Sequence, residues 1–401
     1  MLQKKLKHID LFTGLGGFVL GGKRTGGIDT IFACENDSYN KKLIDINMGL
    51  DNAGDINYAV VAQDNHPHAK MCEEDDIVPA EKTGISSLCI EDFLEGVLDY
   101  PDIITGGFPC VQLSAANTHG NWQGIEGKDS GLVFEQLRII EELEPSYCVF
   151  ENAERLTNNG LNVILEELGK LGYAAQWGII SATAFGLPHY RHRTILVAYR
   201  EETAIHRLKV DIFKSIHQYT CEAGEFILPL LSEDPMYIKD MATALNPRSI
   251  KNRSKRINAI GNAIIPDIPE ALFNIILNAE NGNVGKLTTN NTPEKFRVNS
   301  VNESQMPTTG FFVDGVIYSS NERDLVLNPT KATFKGLYST ILAKDGNNNF
   351  TCKSRLTRPG GLGGLVGNIM SLGADKGGLD PIFCEIFMGL EPNHTLLRTE
   401  V

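Results

Sequence analysis

Short apolar runs alternate with amphipathic ones across residues 7–200, and this alternation most narrows the folds open to the chain. His8-Ile-Asp-Leu-Phe12 is strand-like and ends in the turn Thr13-Gly-Leu-Gly-Gly17, after which a helical pattern begins. Thr30-Ile-Phe-Ala-Cys34, Asp102-Ile-Ile-Thr105, Tyr147-Cys-Val-Phe150 and Thr194-Ile-Leu-Val-Ala198 are runs of the same kind. Between them, residues 131–143 and 161–171 carry apolar side chains at helical spacing, the second run stopping at Gly172. Apolar strands that alternate with helices predict an α/β fold whose mostly parallel sheet is covered on both faces. Residues 40–65 are polar and Asn-rich and read as an insertion. From residue 201 the pattern loosens, returning at residues 257–266 and at Ala271-Leu-Phe-Asn-Ile-Ile-Leu277. Residues 280–295 read as a linker, and beyond them lies a loop-heavy lobe rich in Gly, Asn and Thr.

Composition excludes several classes. No apolar run approaches the roughly 18–20 residues of a membrane span. The opening Met-Leu-Gln-Lys-Lys-Leu-Lys-His lacks the apolar core of a signal peptide. Eight cysteines are scattered without a CxxC pair, which predicts a reduced, cytoplasmic protein without structural zinc. The net charge of −13 argues against non-specific coating of nucleic acid, since phosphate binding relies on Lys and Arg. A local basic face stays open, because residues 246–257 hold Arg248, Lys251, Arg253, Lys255 and Arg256 with no acid. A solvated helix face would read the same way.

Four places carry candidate chemistry. In Gly106-Gly-Phe-Pro-Cys110 a strand ends in paired glycines, and Pro109 stiffens the turn that presents one cysteine. That arrangement suits a nucleophile at the lip of a sheet; a buried structural cysteine is the plainer reading. The glycine turn at residues 13–17 leaves helix N–H groups open to an anion, and Glu35 follows about 20 residues on, where a ribose diol would be held. This spacing suits a dinucleotide or S-adenosylmethionine equally, and an ordinary tight turn also fits. Glu151 and Asn152 lie just past a buried strand, as a general acid or as a helix cap with a surface acid. Arg191 and Arg193, two apart at a strand entrance, point to one face and suit an anion clamp or a charged strand end.

In chain order these pieces read DLFTGLGGF, an acid after the second strand, GGFPCxxxS, FENxxRL, FGLPxxRxR and AIGNAIIP. The set resembles the cytosine-5 DNA methyltransferases of bacteria and phages, most closely over residues 8–200 and 257–277. The resemblance implies a Rossmann-like S-adenosylmethionine-dependent methyltransferase domain (residues 1–200 and 257–279). It also implies a smaller, loop-rich target-recognition lobe (201–256 and 280–401), with double-stranded DNA in the cleft between them. It makes Cys110 the nucleophile on carbon 6 of a flipped cytosine. Glu151 would hold the base at N3 and the exocyclic amine, while Arg193, with Arg191 in support, contacts the base and orients Glu151. Phe12, Gly14, Leu15, Gly16 and Gly17 would line the cofactor and Glu35 its ribose. Asp76-Ile77 would lie beside adenine, with Asp55-Ile56 as second choice, and Asn262 would return to the active site. A monomer without a metal is expected. RNA cytosine methylation, or a catalytically silent DNA-binding relative, are the alternatives.

The pattern departs from the family in places. Val111 stands where glutamine usually follows the nucleophile, with Gln112 next. His189 replaces the glutamine of QxRxR, Ala153 the valine of ENV, and Asn36 the tryptophan after the ribose acid. GNAI arrives early, at residues 261–264, and the stretch from Ala198 to the basic run is too short for a full recognition domain. Residues 280–395 are therefore expected to supply much of the target recognition, with Arg355, Arg358 and the glycines at 360–364 as candidate DNA contacts. The recognition sequence and the biological role stay open.

Overall fold

The computed structural model describes residues 5–47, 99–109, 132–222, 235–283, 295–297, 306–319, 338–356 and 363–397. The strands are β1 (Leu6–Leu11), β2 (Ile28–Cys34), β3 (Ile103–Gly106), β4 (Tyr147–Ala153), β5 (Ala174–Ser181), β6 (His189–Tyr190) and β7 (His192–Tyr199). They continue as β8 (Thr243–Ala244), β9 (Lys295–Arg297), β10 (Gly310–Val313), β11 (Val316–Ser319), β12 (Tyr338–Ser339) and β13 (Gly378–Leu379). The helices are α1 (Gly17–Thr25), α2 (Ser38–Asn47), α3 (Leu132–Leu143), α4 (Leu161–Lys170), α5 (Ala204–Leu208) and α6 (Ile212–Glu222). After them come α7 (Pro235–Ala242), α8 (Arg253–Asn262), α9 (Asp267–Glu280), α10 (Gly364–Ser371) and α11 (Pro381–Phe387). The start of the expected polar insertion is thus helical, as α2.

Among the described residues nine strands form one sheet in the order β2-β1-β3-β4-β7-β5-β10-β11-β9. β1 to β4 run parallel, as the alternation predicts. β7 is reversed and lies antiparallel between β4 and β5. Successive residues of the central strands enter opposite cores. Val149 and Val197 face one core, shared with Phe18, Phe273 and Phe383; Phe150 and Leu196 face the other, shared with Ile140, Ile164 and Trp177. Helices α3 and α4 cover the second face, and α1, α6 and α9 cover the first. No single described helix is long and apolar enough to cross a membrane; α8 and α9 pass such a test only as a bent pair.

Two stretches of the expected lobe pack against this sheet. β10 pairs antiparallel with β5, and β11 folds back on β10 through Asp314-Gly315, both with positive φ (50° and 75°). That turn matches the twist of a two-residue hairpin. The hairpin fits because Gly310 has no side chain: a Cβ there would lie 2.5 Å from the Trp177 ring. Trp177 Nε1 donates to the Pro307 carbonyl at 2.9 Å, and Phe312 is buried. Residues Ile341, Phe350, Leu365, Phe383 and Phe387 pack in the same core as α1 and α9.

The basic run likewise divides. Arg253 and Arg256 are buried. Arg253 donates to the carbonyls of Leu379, Gly346 and Asn348 at 2.8, 2.8 and 3.4 Å. Arg256 pairs with Glu385 at 2.8 Å. Arg248, Lys251 and Lys255 remain exposed. Arg355 donates to the Gly363 carbonyl at 3.1 Å, while Arg358 and Gly360 to Leu362 lie outside the described residues.

Candidate active site

The chain leaves β1 through a left-handed turn. Phe12, Gly14 and Gly16 have φ of 59°, 56° and 76°, so only Phe12 carries a side chain in a region that favours glycine. Thr13 N donates to the Cys34 carbonyl at 2.9 Å, and Gly16 N to the Thr13 carbonyl at 2.7 Å, which fixes the turn against the end of β2. Gly17 opens α1 beneath the GNAI segment: a Cβ there would lie 2.4 Å from Ile264 Cγ2. At the end of β2, Glu35 accepts from Gly14 N at 2.6 Å and from Asp37 N at 2.7 Å. Burial nevertheless pushes its carboxyl above the ordinary range. Asn36 beside it is exposed. The turn, the open helix end and the acid on the adjacent strand can together hold an adenosine moiety by its ribose and tail.

The second cluster lies at the carboxyl end of β4. This strand runs on to Ala153, so Glu151 and Asn152 are strand residues and not a helix cap. Glu151 is 8% exposed, and Arg193 Nε meets its Oε1 at 2.8 Å. The register explains the meeting: Arg193 lies opposite Ala153, two residues along β4 from Glu151 and so on the same face of the sheet. Burial raises the Glu151 carboxyl, and the guanidinium groups of Arg193 and Arg191 pull it back only in part. Gly107, just past the end of the parallel strand β3, packs against this carboxylate: a Cβ there would lie 2.9 Å from Glu151 Oε2. Asn152 points the other way, donating from Nδ2 to the Phe108 carbonyl at 3.1 Å and accepting from Ala153 N at 2.7 Å. It therefore anchors the turn that runs through Pro109. Cys110, Val111 and Gln112 lie outside the described residues, as do Asp55, Ile56, Asp76 and Ile77.

Arg191 does not join Arg193 on Glu151. It is 2% exposed and donates to the carbonyls of Gly261 (3.1 Å), Ala263 (2.5 Å) and Ile341 (3.4 Å), and to Thr340 Oγ1 at 3.3 Å. Its charge still acts on Glu151, and burial holds its own pKa well below the usual arginine value. Asn262, between the two bound carbonyls, is exposed at the end of α8. His189 turns away from the site: it is fully buried, stacks on Phe387 at 4.7 Å, and burial pushes its pKa down to about 3. Asn152, read in the sequence beside Glu151, anchors the turn after β3, and Gly107, read there as one of two glycines before Cys110, is where that turn meets Glu151.

A family model described as C-5 cytosine-specific DNA methylase matches residues 6–325. The chain belongs to this family. Among curated methylases, it is 27% identical to Type II methyltransferase M.DsaV of Dactylococcopsis salina over 269 residues, covering 66% of this chain and 65% of that protein. It is 30% identical to Type II methyltransferase M.HaeII of Haemophilus aegyptius over 204 residues, covering 50% and 52%. The chain thus spans about half to two-thirds of the length of these methylases. Among solved structures, the S. pombe Dnmt2 methyltransferase aligns with a TM-score of 0.35 at 18% identity, over 49% of this chain and 51% of that one.

Proposed function

We propose that this C-5 cytosine methylase family member is a DNA (cytosine-5-)-methyltransferase acting on duplex DNA with S-adenosylmethionine as methyl donor. The carrying observation is the buried Glu151–Arg193 pair, closed by Gly107 from the strand that leads to Cys110. The residues present fit the donor: Gly14 and Gly16 present bare backbone in the turn, and Glu35 lies across from it as an acceptor. Asp10, buried beneath, keeps Oδ2 without a partner among the described residues. Phe12, Gly14, Leu15, Gly16, Gly17, Glu35, Asn36 and Asn262 would hold it, with Asp76 and Ile77 beside adenine. When bound, it supplies an electrophilic methyl group.

In the proposed mechanism the target cytosine leaves the stack, because carbon 6 cannot be reached within a duplex. The Cys110 thiolate forms a bond to carbon 6. Glu151, whose raised pKa favours the protonated form, gives its proton to N3 and accepts from the exocyclic amine. Arg193 holds Glu151 in place and contacts the base. Electron density thereby reaches carbon 5, which would take the methyl group with S-adenosylhomocysteine as leaving group; a base then removes the carbon 5 proton, N3 returns its proton to Glu151 and the Cys110 thiolate leaves. We place this activity in the bacterial or phage-infected cytoplasm, in a monomer, as host modification of the Type II kind.

The test is incubation with labelled S-adenosylmethionine and duplex DNA containing 5-fluorocytosine, whose fluorine blocks the final elimination. A denaturation-resistant adduct that vanishes in Cys110→Ser supports the proposal. An adduct on structured RNA alone would transfer the activity to RNA, and no adduct on either would sink it.

A further inference from the structure

The described candidate cofactor residues come from three distant stretches: the turn at residues 12–17, the acid and following helix at residues 35–39, and α8 with its GNAI end. One short segment, Glu391 to Thr395, touches all three. His394 Nε2 donates to the Leu15 carbonyl at 3.4 Å. The Thr395 carbonyl accepts from the Tyr39 hydroxyl at 2.6 Å, and Tyr39 N is itself bound to Asp37 in the first turn of α2. Thr395 Oγ1 accepts from Arg256 Nε of α8 at 2.9 Å.

Glu385, in α11, holds this segment in shape. It is fully buried, and its Oε2 accepts from Asn393 N at 2.6 Å. Its Oε1 accepts from Arg256 Nη2 at 2.8 Å, from Thr395 N at 2.9 Å and from the Thr395 hydroxyl. A buried carboxylate that takes four hydrogen bonds, one of them from a guanidinium, is costly to disturb, so the segment is held in one conformation. The chain then ends its described course with Leu397 in the common core.

We propose that Glu391–Thr395 is a strap that positions the cofactor pocket, with Tyr39, His394 and Thr395 as its positioning residues. This assigns a segment expected to serve target recognition to the methyl-donor side of the molecule, and it rests on the cofactor reading above. The strap works on backbone: it holds a carbonyl of the strained turn, the first turn of the helix after Glu35, and the helix that ends at Asn262. Freed from it, these three pieces would have to be ordered by the ligand itself, which lowers affinity.

The test measures binding of S-adenosylhomocysteine and of mixed-sequence duplex DNA separately, by calorimetry, in wild type, Tyr39→Phe, His394→Ala, Thr395→Val and Thr395→Ser. Each of the first three variants loses one hydrogen bond or a linked pair, so S-adenosylhomocysteine should bind about three- to tenfold more weakly. Affinity for DNA should be unchanged, and Thr395→Ser should restore wild-type binding. Amides of residues 13–18 should exchange faster in ligand-free Thr395→Val than in wild type. Weakened DNA binding with unaltered S-adenosylhomocysteine binding would overturn the strap and leave the proposed function standing. Wild type that binds no S-adenosylhomocysteine would overturn both.

Discussion

Gly107→Ala isolates the geometry of the proposed base pocket. Its φ is not positive, so the backbone accepts alanine. The new Cβ would lie 2.9 Å from Glu151 Oε2, where ordinary contact begins near 3.4 Å. The carboxylate must therefore give by about half an ångström. A solvated side chain would swing aside at little cost, but this one is buried and its other oxygen is bound to Arg193 at 2.8 Å. Either the ion pair stretches or the β3 turn backs away, and both move the carboxyl relative to Cys110. A misplacement of about 1 Å costs roughly a hundredfold in rate, so half that distance should cost on the order of tenfold in kcat. Stability should fall by only about 1 kcal/mol. The assay is single-turnover methyl transfer, with the melting temperature and S-adenosylhomocysteine affinity as controls. In a Glu151→Gln background, already deprived of the proton, Gly107→Ala should add much less than tenfold. Wild-type turnover in Gly107→Ala, or a full additive loss in the double variant, would refute the reasoning.

Other substitutions probe the supports around this pocket. Asn152→Ala frees the Phe108 carbonyl and Ala153 N; it should lower stability by about 1–3 kcal/mol in denaturant titration and slow adduct formation with 5-fluorocytosine DNA. Arg253→Ala strands three carbonyls and should cost about 2–4 kcal/mol of stability while leaving the salt dependence of DNA binding unchanged. Arg248→Ala with Lys251→Ala should do the reverse if the exposed part of the basic run contacts phosphates. Asp10→Asn tests a buried acid whose pKa burial raises to about 8. Because the folded state keeps the proton, wild-type stability should fall as pH rises from about 4 to about 8, by on the order of a few kcal/mol. Thermal melts across that window should show the fall flattened in Asp10→Asn, whose Oδ1 can still accept from Thr105.

Continuous apolar runs made β1 to β4 and β7 legible, because strands buried on both faces need them. The strand β5, Ala-Ala-Gln-Trp-Gly-Ile-Ile-Ser, was less so: its Gln176 is an unlikely core residue until its bonds to Tyr199, Val210 and Ile212 are seen. The direction of β7 is a tertiary property that no local pattern carries. Asp314-Gly315 did carry its hairpin signal, yet its place beside β5 depends on a cavity at Gly310 over Trp177, formed by residues far away in sequence. Glu151 and Arg193 were legible as residue types, and their contact followed once the strands were paired. Arg191, Arg253 and Arg256 were not, since a charge pattern says nothing about which buried carbonyls await a donor.

The reversal of β7 is what assembles the site. Run parallel to β4, an eight-residue strand would carry its amino end to the far edge of the sheet, roughly 25 Å from Glu151 at about 3.3 Å per residue. Reversed, it places Arg193 on Glu151, and two residues earlier Arg191 reaches the carbonyls that flank Asn262. Ile264, two residues further on, rests on Gly17 at the cofactor turn. The proposed base pocket and the glycine turn are thus tied through one strand entrance and one helix end. A transfer whose two reactants must meet within a fraction of an ångström gains from such a frame, because ordering either pocket also orders the other.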